Sequence, residues 1–147
     1  EIAAGRIKAL LVLGGEDVVE AGIPASTLAL LELLISSAIL PNATTRAAHV
    51  VLPGAGFAEK SGSMVNVHGR LQRFSRAIVA PGQAREEWVI LRDLREIVTG
   101  GNSLHSIEDI WKSMVTAVSV FAGLSWGKIG DQGVDLAHSL PAGTAAK

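Results

Sequence analysis

Residues 48–88 read AHVVLPGAGFAEKSGSMVNVHGRLQRFSRAIVAPGQAREEW, and this stretch contains a buried strand, a glycine loop, a charged hinge and a hairpin in succession. The run His49 to Leu52 is apolar and rich in valine, as in a buried strand, and Pro53-Gly54 ends it abruptly. The loop that follows holds three glycines around the adjacent charged pair Glu59-Lys60. The sequence therefore predicts a flexible, polar loop at the end of a buried strand.

A hairpin is predicted directly after this loop. Ser63 to Val67 and Arg70 to Phe74 have the pattern of two short strands, and only His68-Gly69 separates them. Two connecting residues are typical of a primed turn, in which glycine adopts positive φ without steric strain. We therefore expect Gly69 to have positive φ.

Composition excludes several kinds of protein. The 147 residues suffice for one domain with a substantial core. Hydrophobic residues make up 48%, charged residues 18%, and the formal net charge is -1, so neither disorder nor a nucleic-acid interface is indicated. The absence of cysteine excludes thiolate-bound clusters and disulfides within these residues. Because the chain starts without methionine, a few residues before a core strand, we expect a fragment of a longer protein.

The first part of the chain has the pattern of a β-α-β unit. Ile7 to Leu13 is a predicted buried strand, with Glu16 and Asp17 just beyond its end. Ligands collect at such strand ends in open α/β sheets, although a solvated turn is the commoner use of acidic residues there. Helix-start signals follow at Pro24 and Ser26, and a second strand is predicted within Leu34 to Leu40. The predicted helix has one apolar face, which contains Leu28 and Leu31 and extends at most to Ile35.

Two amphipathic helices are predicted in the second half of the chain. The first covers Ala84 to Thr99, and the second begins after an N-cap at Ser106. We expect both to pack in the core through their apolar stripes, which are Trp88, Leu91, Leu94 and Val98 in the first and Ile107, Ile110, Trp111, Met114, Val118 and Phe121 in the second. The rest is expected to be loop, so that one domain covers residues 1–135 and a flexible tail covers 136–147.

No metal site or membrane span is predicted. His49, beside a predicted strand, has no second ligand at suitable spacing, so a packed or surface imidazole is expected there. The longest apolar runs, Thr27 to Leu40 and Val115 to Leu124, are shorter than the ~20 residues that a membrane helix needs.

Four segments carry a family resemblance: HVVLPG, FAEKSG, VNVHGRLQRF and PGQAREEW, all within residues 48–88. They resemble the C-terminal part of the domain shared by molybdopterin oxidoreductases and the large iron-sulfur subunit of bacterial NADH:quinone oxidoreductase, respiratory complex I. Weaker similarity covers Ile7 to Asp17 and residues 125–133. His68 stands where the family usually has an acidic residue. The resemblance implies an α/β fold, with a mostly parallel sheet, flanking helices and a β-hairpin excursion.

The complex I branch is the closer in pattern, through LQRF and AREEW. Membership there implies a scaffold or interaction domain, without catalytic residues or a cofactor of its own, that supports electron transfer from NADH to quinone. The iron-sulfur clusters would lie in an N-terminal part of the parent. Its partners would be other parts of the subunit and other peripheral-arm subunits, on the cytoplasmic side of the bacterial inner membrane, with no nucleic acid and no membrane insertion.

The alternative that the resemblance implies is an active molybdopterin-dependent enzyme such as a formate dehydrogenase. The loop and hairpin would then help to hold the cofactor, through Glu59, Lys60, Gly62, Asn66, Gly69 and Arg70. Planar amide and guanidinium groups suit phosphate recognition, but they equally fasten one part of a protein to another. Glu59 and Lys60 are more simply interpreted as stabilising the glycine hinge, because adjacent loop residues seldom form a catalytic pair.

Overall fold

Residues 1–101 and 104–136 are described by the computed structural model, and they divide into two compact units. The first unit contains Glu1–Lys60 and Ile78–Leu91, and the second contains Ser61–Ala77 and the described residues from Arg92 onward. Each unit has its own sheet and its own apolar cluster. The domain predicted over residues 1–135 stays a prediction, and the predicted tail lies outside the described residues except for Leu136.

The first unit contains a three-stranded parallel sheet in the order β1-β2-β3. Strand β1 is Ala9–Val12, β2 is Leu33–Ala38 and β3 is Val50–Pro53. All three overlap the predicted apolar runs, whose aliphatic side chains suit strands of a parallel sheet. The sheet and its connecting helices confirm the predicted α/β class.

Two short helices connect these strands, α1 at Ala25–Leu28 and α2 at Ala43–Ala47. The possible extension of the first helix to Ile35 is wrong, because that residue pairs with Leu11 and Val50 in the sheet. Helix α2 starts with a reciprocal cap, in which Asn42 and Thr45 each accept the other's backbone N–H.

The core of the first unit lies on one face of its sheet. Val12, Leu28, Leu31 and Leu34 are buried there, and Leu34 is fully inaccessible. Burial of each such side chain contributes roughly 1.5–3 kcal/mol to folding.

The second unit contains an antiparallel sheet. Strand β4, Gly62–Val65, pairs with β5, Arg70–Phe74, and β5 pairs with β6, Val134–Asp135. The predicted hairpin is confirmed, but strand β6 was not predicted, since its residues were assigned to loop. The hairpin is therefore not isolated but is part of a three-stranded sheet.

The described residues also form two longer helices, α3 at Glu87–Thr99 and α4 at Ile107–Ala117. Ser106 caps α4 as predicted, with its hydroxyl accepting from the N–H of Asp109. The predicted core stripe of α3 is wrong at Leu91, which is 40% exposed, and at Val98, which is 82% exposed. Trp88 and Leu94 are half-buried, and the buried residue of the helix is Ile90. Among the described residues, no helix has the length and apolar character needed to cross a membrane.

Trp111 of α4 is at the centre of the second unit's core. It is buried with Leu71, Ile129 and Leu136. Its ring lies 5.5 Å from that of Phe121 and 5.7 Å from that of Trp126, measured between centroids. Its indole N–H donates to the carbonyl oxygen of Leu124 at 2.9 Å, so the one polar atom of the side chain is satisfied. Val118 and Phe121 lie beyond the end of α4, so the predicted stripe was too long.

Candidate functional site

Glu59 and Lys60, the charged pair of the glycine loop, form hydrogen bonds with different partners. Phe57–Glu59 forms one 3-10 turn, and the Glu59 carboxylate accepts the backbone N–H of Gly56 at 2.7 Å. Lys60 instead donates to both carboxylate oxygens of Glu87, each at 2.9 Å. The Lys60 and Glu87 side chains are only 24% and 20% exposed. The loop is therefore fastened by two separate polar contacts.

Backbone hydrogen bonds also hold this loop to the segment that precedes α3. Ala55 N–H donates to the carbonyl of Arg85 at 2.8 Å, and Arg85 N–H donates to the carbonyl of Pro53 at 3.0 Å. Ala55 is fully buried. The sequence did not predict this pairing, because nothing in the local pattern links residues thirty positions apart.

Gly62, the last glycine of the loop, faces the ring of Phe74 across the β4–β5 pair. A Cβ atom at this position would lie 2.7 Å from Cζ of Phe74, which is closer than real Cβ contacts. A larger residue here would therefore displace the aromatic ring that lies beside the Gly62 backbone.

The hairpin turn differs from the prediction. Asn66 N–H donates to the Arg70 carbonyl at 3.0 Å, and Gly69 N–H donates to the Asn66 carbonyl at 2.9 Å, so three residues form the loop. Gly69 has φ +79°, which confirms the predicted sign. A three-residue loop that ends in a left-handed glycine is the usual alternative to the two-residue primed turn, which is wrong here.

The Asn66 side chain stabilises that turn from inside. Its Oδ1 accepts the backbone N–H groups of His68 at 2.9 Å and Arg70 at 3.0 Å. An asparagine side chain that substitutes for backbone acceptors is common in turns. Its carbonyl oxygen is therefore already used in the fold.

The two hairpin arginines contact the segment before β6. Arg70 Nη1 donates to the carbonyl of Gln132 at 2.9 Å, and Arg73 Nη1 donates to the carbonyl of Trp126 at 3.3 Å. The Arg73 guanidinium also lies 5.4 Å from the centroid of the Trp126 ring, within the range of cation–π attraction. Both arginines thus fasten the hairpin within the second unit.

At the carboxyl end of the parallel sheet, Asp17 holds the start of α2. Its carboxylate accepts the N–H of Ala43 at 2.8 Å and the hydroxyl of Thr44 at 2.9 Å. Desolvation raises the pKa of Asp17, but hydrogen bonds from Ala43, Thr44, Glu20 and Val19 together outweigh it and lower this pKa. Asp17 therefore makes a structural contact, which differs from both sequence interpretations, a ligand site and a solvated turn.

An open groove of about 460 Å³ lies beside Asp17 at this edge of the sheet. Its walls come from the turns after β1 and β2 and include Gly14, Gly15, Glu16, Asp17, Glu20, Ile39, Leu40, Pro41 and Asn42. Such strand ends are the usual place for ligands in α/β sheets. Three acidic side chains line the groove, so it is poorly suited to an anionic ligand.

His49, which was predicted to be a packed or surface imidazole, also has a structural role. His49 Nδ1 accepts the backbone N–H of Leu34 at 2.8 Å, and the His49 N–H donates to the Leu34 carbonyl. Within residues 1–101 and 104–136, no group of three or more histidine and acidic side chains could hold a metal ion.

The six residues proposed from the cofactor-binding alternative therefore fall in two places. Glu59 and Lys60 belong to the first unit, whereas Gly62, Asn66, Gly69 and Arg70 belong to the second. The structure brings the last three together in one turn. Each of the four polar side chains has a hydrogen-bond partner inside its own unit.

The known proteins that resemble this chain in sequence include oxidoreductase subunits of different kinds. The chain is 34% identical over 128 residues to the NADPH-Fe(3+) oxidoreductase subunit alpha of Geobacter sulfurreducens, covering 84% of this chain and 15% of that protein. It is 34% identical over 144 residues to the F420-dependent formate dehydrogenase 2 subunit alpha of Methanococcus maripaludis, covering 95% and 21%. It is 46% identical over 63 residues to the NADH-ubiquinone oxidoreductase 75 kDa subunit of Reclinomonas americana, covering 43% and 9%.

One solved structure shares the fold of this chain. The acetylene hydratase of Pelobacter acetylenicus has a similar structure, with a TM-score of 0.51 at 18% identity over 73% of this chain and 15% of that one. This chain thus spans about a fifth or less of the length of the proteins that it matches. The sequence profile of the family described as molybdopterin oxidoreductase matches residues 1–97, and the chain belongs to that family.

Proposed function

We propose that this chain is a scaffold and interaction segment of the large iron-sulfur subunit of an NADH:quinone oxidoreductase, and that it supports electron transfer without chemistry of its own. Its 46% identity to the NADH-ubiquinone oxidoreductase 75 kDa subunit supports this choice, as do the motifs of residues 48–88. The partners on this proposal are the rest of the same subunit and other peripheral-arm subunits, on the cytoplasmic side of the bacterial inner membrane.

The proposal rests on the hydrogen bonds that the polar side chains of the loop and hairpin form within the protein. Glu59 caps the 3-10 turn, Asn66 fills its turn, and Arg70 binds a carbonyl of the same unit. A residue that binds a cofactor keeps donors or acceptors directed at the ligand, whereas the Glu59 carboxylate, Asn66 Oδ1 and Arg70 Nη1 are bonded to the protein backbone. This arrangement favours structural support.

Iron-sulfur clusters, on this proposal, belong to another part of the parent subunit. Thiolates are the usual ligands of such clusters, and the chain has no cysteine. The electron path would therefore run outside these residues.

The second candidate is the cofactor-holding part of an active molybdopterin-dependent enzyme. The formate dehydrogenase subunit favours it, because that similarity covers 95% of this chain. The residues involved would be Glu59, Lys60, Gly62, Asn66, Gly69 and Arg70. Their fit to a pterin nucleotide is poor, since Gly62 adjoins a phenylalanine ring and the polar groups are engaged. No catalytic step is assigned to them.

The experiment that separates the two candidates is the cofactor content of the purified parent enzyme. We expect iron and acid-labile sulfide, NADH-dependent reduction of a quinone analogue, and no bound pterin or molybdenum. Stoichiometric pterin together with formate oxidation would contradict the scaffold proposal and support the second candidate.

A further inference from the structure

The parallel sheet of the first unit has an apolar patch on the face opposite its core. Side chains of successive strand residues alternate between the two faces, and Leu10, Val12 and Leu34 pack in the apolar cluster on one of them. The residues between them, with their partners in register, therefore lie on the other face. In its amino-terminal half they form what we call the outer patch: Ala9, Leu11, Leu33, Ile35 and Val50. Every side chain of the outer patch is apolar.

The outer patch is contiguous and partly exposed. Leu11, Ile35 and Val50 are aligned across the three strands. Leu11 is 40% exposed, Leu33 is 39% exposed and Val50 is 42% exposed. Parallel sheets are normally covered on both faces, and an exposed apolar patch marks a surface that another element covers. A cover for the outer patch is therefore expected.

The two connecting helices of the unit lie on the opposite side of the sheet. The strand order β1-β2-β3 runs in one direction, so right-handed crossovers place α1 and α2 on the same face. Leu28 of α1 and Ala47 of α2 both pack in the apolar cluster, away from the outer patch. The cover must come from a segment other than these two helices.

We propose that the outer patch is covered by an amphipathic helix of the same parent polypeptide, from residues outside this chain. The chain spans 15% and 21% of two of its relatives, so most of a parent of such length lies outside it. Helices are the elements that cover the faces of parallel sheets. A patch without charged groups suits a permanent contact, because transient interfaces are more polar. The inference applies to either candidate function, since both place this chain in a longer subunit.

Cysteine labelling in the purified parent enzyme tests whether the patch is covered. The chain has no cysteine, so a thiol introduced at Leu33 is the only one in its tryptic peptide. Leu30→Cys is the matched control, because Leu30 is 61% exposed and follows α1 outside the sheet. Leu33→Cys should react with N-ethylmaleimide about 100-fold more slowly in the native enzyme than in urea, and Leu30→Cys within about tenfold of its rate in urea. Protection of Leu33→Cys no greater than that of Leu30→Cys would overturn the proposal.

Photo-crosslinking identifies the cover without a mutation, in enzyme produced with photo-leucine, which is close to leucine in shape. We expect Leu11 and Leu33 to crosslink to a segment of the same polypeptide outside the 147 residues, in a product with the mass of one subunit. Crosslinks from these leucines only to another subunit, to a second copy or within the 147 residues, or none at all, would contradict this assignment. Neither readout depends on cofactor content, so failure here is distinct from failure of the proposed function.

Discussion

Asp17 accepts a hydrogen bond of 2.8 Å from the backbone N–H of Ala43, the first residue of helix α2, across 26 positions of sequence. The same carboxylate accepts from the Thr44 hydroxyl, and Thr44 is fully buried. The turn after β1 is thereby fixed to the start of α2, at the edge of the sheet where the groove opens. Because these hydrogen bonds lower the pKa of Asp17, we expect the first unit to lose stability in acid.

Asp17→Asn should therefore destabilise the chain more at neutral pH than in acid. The folded pKa of Asp17 lies below its usual 3.8, so its contribution is complete above that pH and is lost as the pH falls through the folded value. Urea unfolding at several pH values measures the difference between variant and wild type. Asp131→Asn, at an exposed carboxylate, controls for the change of charge. If the difference in unfolding free energy between wild type and Asp17→Asn stayed constant down to the lowest pH, the predicted acid sensitivity of this contact would be wrong.

Asp109 contributes a second acid-sensitive contact, in the other unit. Its pKa is lowered mainly by the Ser106 hydroxyl, with smaller effects from His105 and Lys112 and with desolvation acting against them. The Asp17→Asn variant should consequently retain part of the acid sensitivity of the wild type.

Gly69→Val should destabilise the hairpin by more than about 1 kcal/mol, because a β-branched residue is strained at φ +79°. Gly69→Asn should cost less, since asparagine tolerates the left-handed region. Gly127→Ala is the matched control, because it lacks positive φ and has nothing within 4 Å of an added Cβ. Equal unfolding midpoints for the valine and asparagine variants would show that the turn conformation is misassigned.

Lys60→Met should cost about 1–3 kcal/mol, because it removes two charge-assisted hydrogen bonds and leaves Glu87 half-buried without its cation. Lys8→Met breaks a similar pair with Glu32, but those side chains are 66% and 68% exposed, so its cost should stay below ~1 kcal/mol. Denaturant midpoints of the two variants provide the comparison. Equal losses would mean that burial of the Lys60 pair adds nothing.

Trp111→Ala should cost about 3–5 kcal/mol, since it removes a buried ring between two other aromatics and the donor to Leu124. Phe57→Ala removes a ring that is 84% exposed, and it should change stability by less than ~0.5 kcal/mol. Thermal or urea unfolding of both variants tests this ranking.

Local signals predicted those parts of the fold that depend on neighbours in sequence. Ser106 was identified as an N-cap because its partner, Asp109, is only three residues away. The three parallel strands followed from their apolar runs, and Gly69 from the turn between two short strands. The Ser106 cap and the Gly69 turn depend on partners within a few residues, whereas the strands were recognisable from their own apolar composition although their pairing partners are distant.

The parts that sequence could not predict depend on distant partners. Strand β6 has only two residues, and it is defined by its pairing with Arg70 and Leu71 of strand β5. The role of Asp17 depends on Ala43, and that of Lys60 on Glu87, 27 positions away. Likewise, the periodicity of α3 indicated an apolar face, but it could not show that Val98 stays exposed.

Arg70→Ala in the parent enzyme distinguishes a hairpin whose polar groups support the fold from one whose polar groups bind a cofactor. Arg70 donates to the carbonyl of Gln132, so its loss should loosen the hairpin and reduce the yield of assembled enzyme. We expect NADH oxidation with a small artificial acceptor, measured per assembled enzyme, to equal that of wild type and of the exposed control Arg76→Ala. An Arg70→Ala enzyme that assembles in full yield but loses activity together with bound pterin would contradict it.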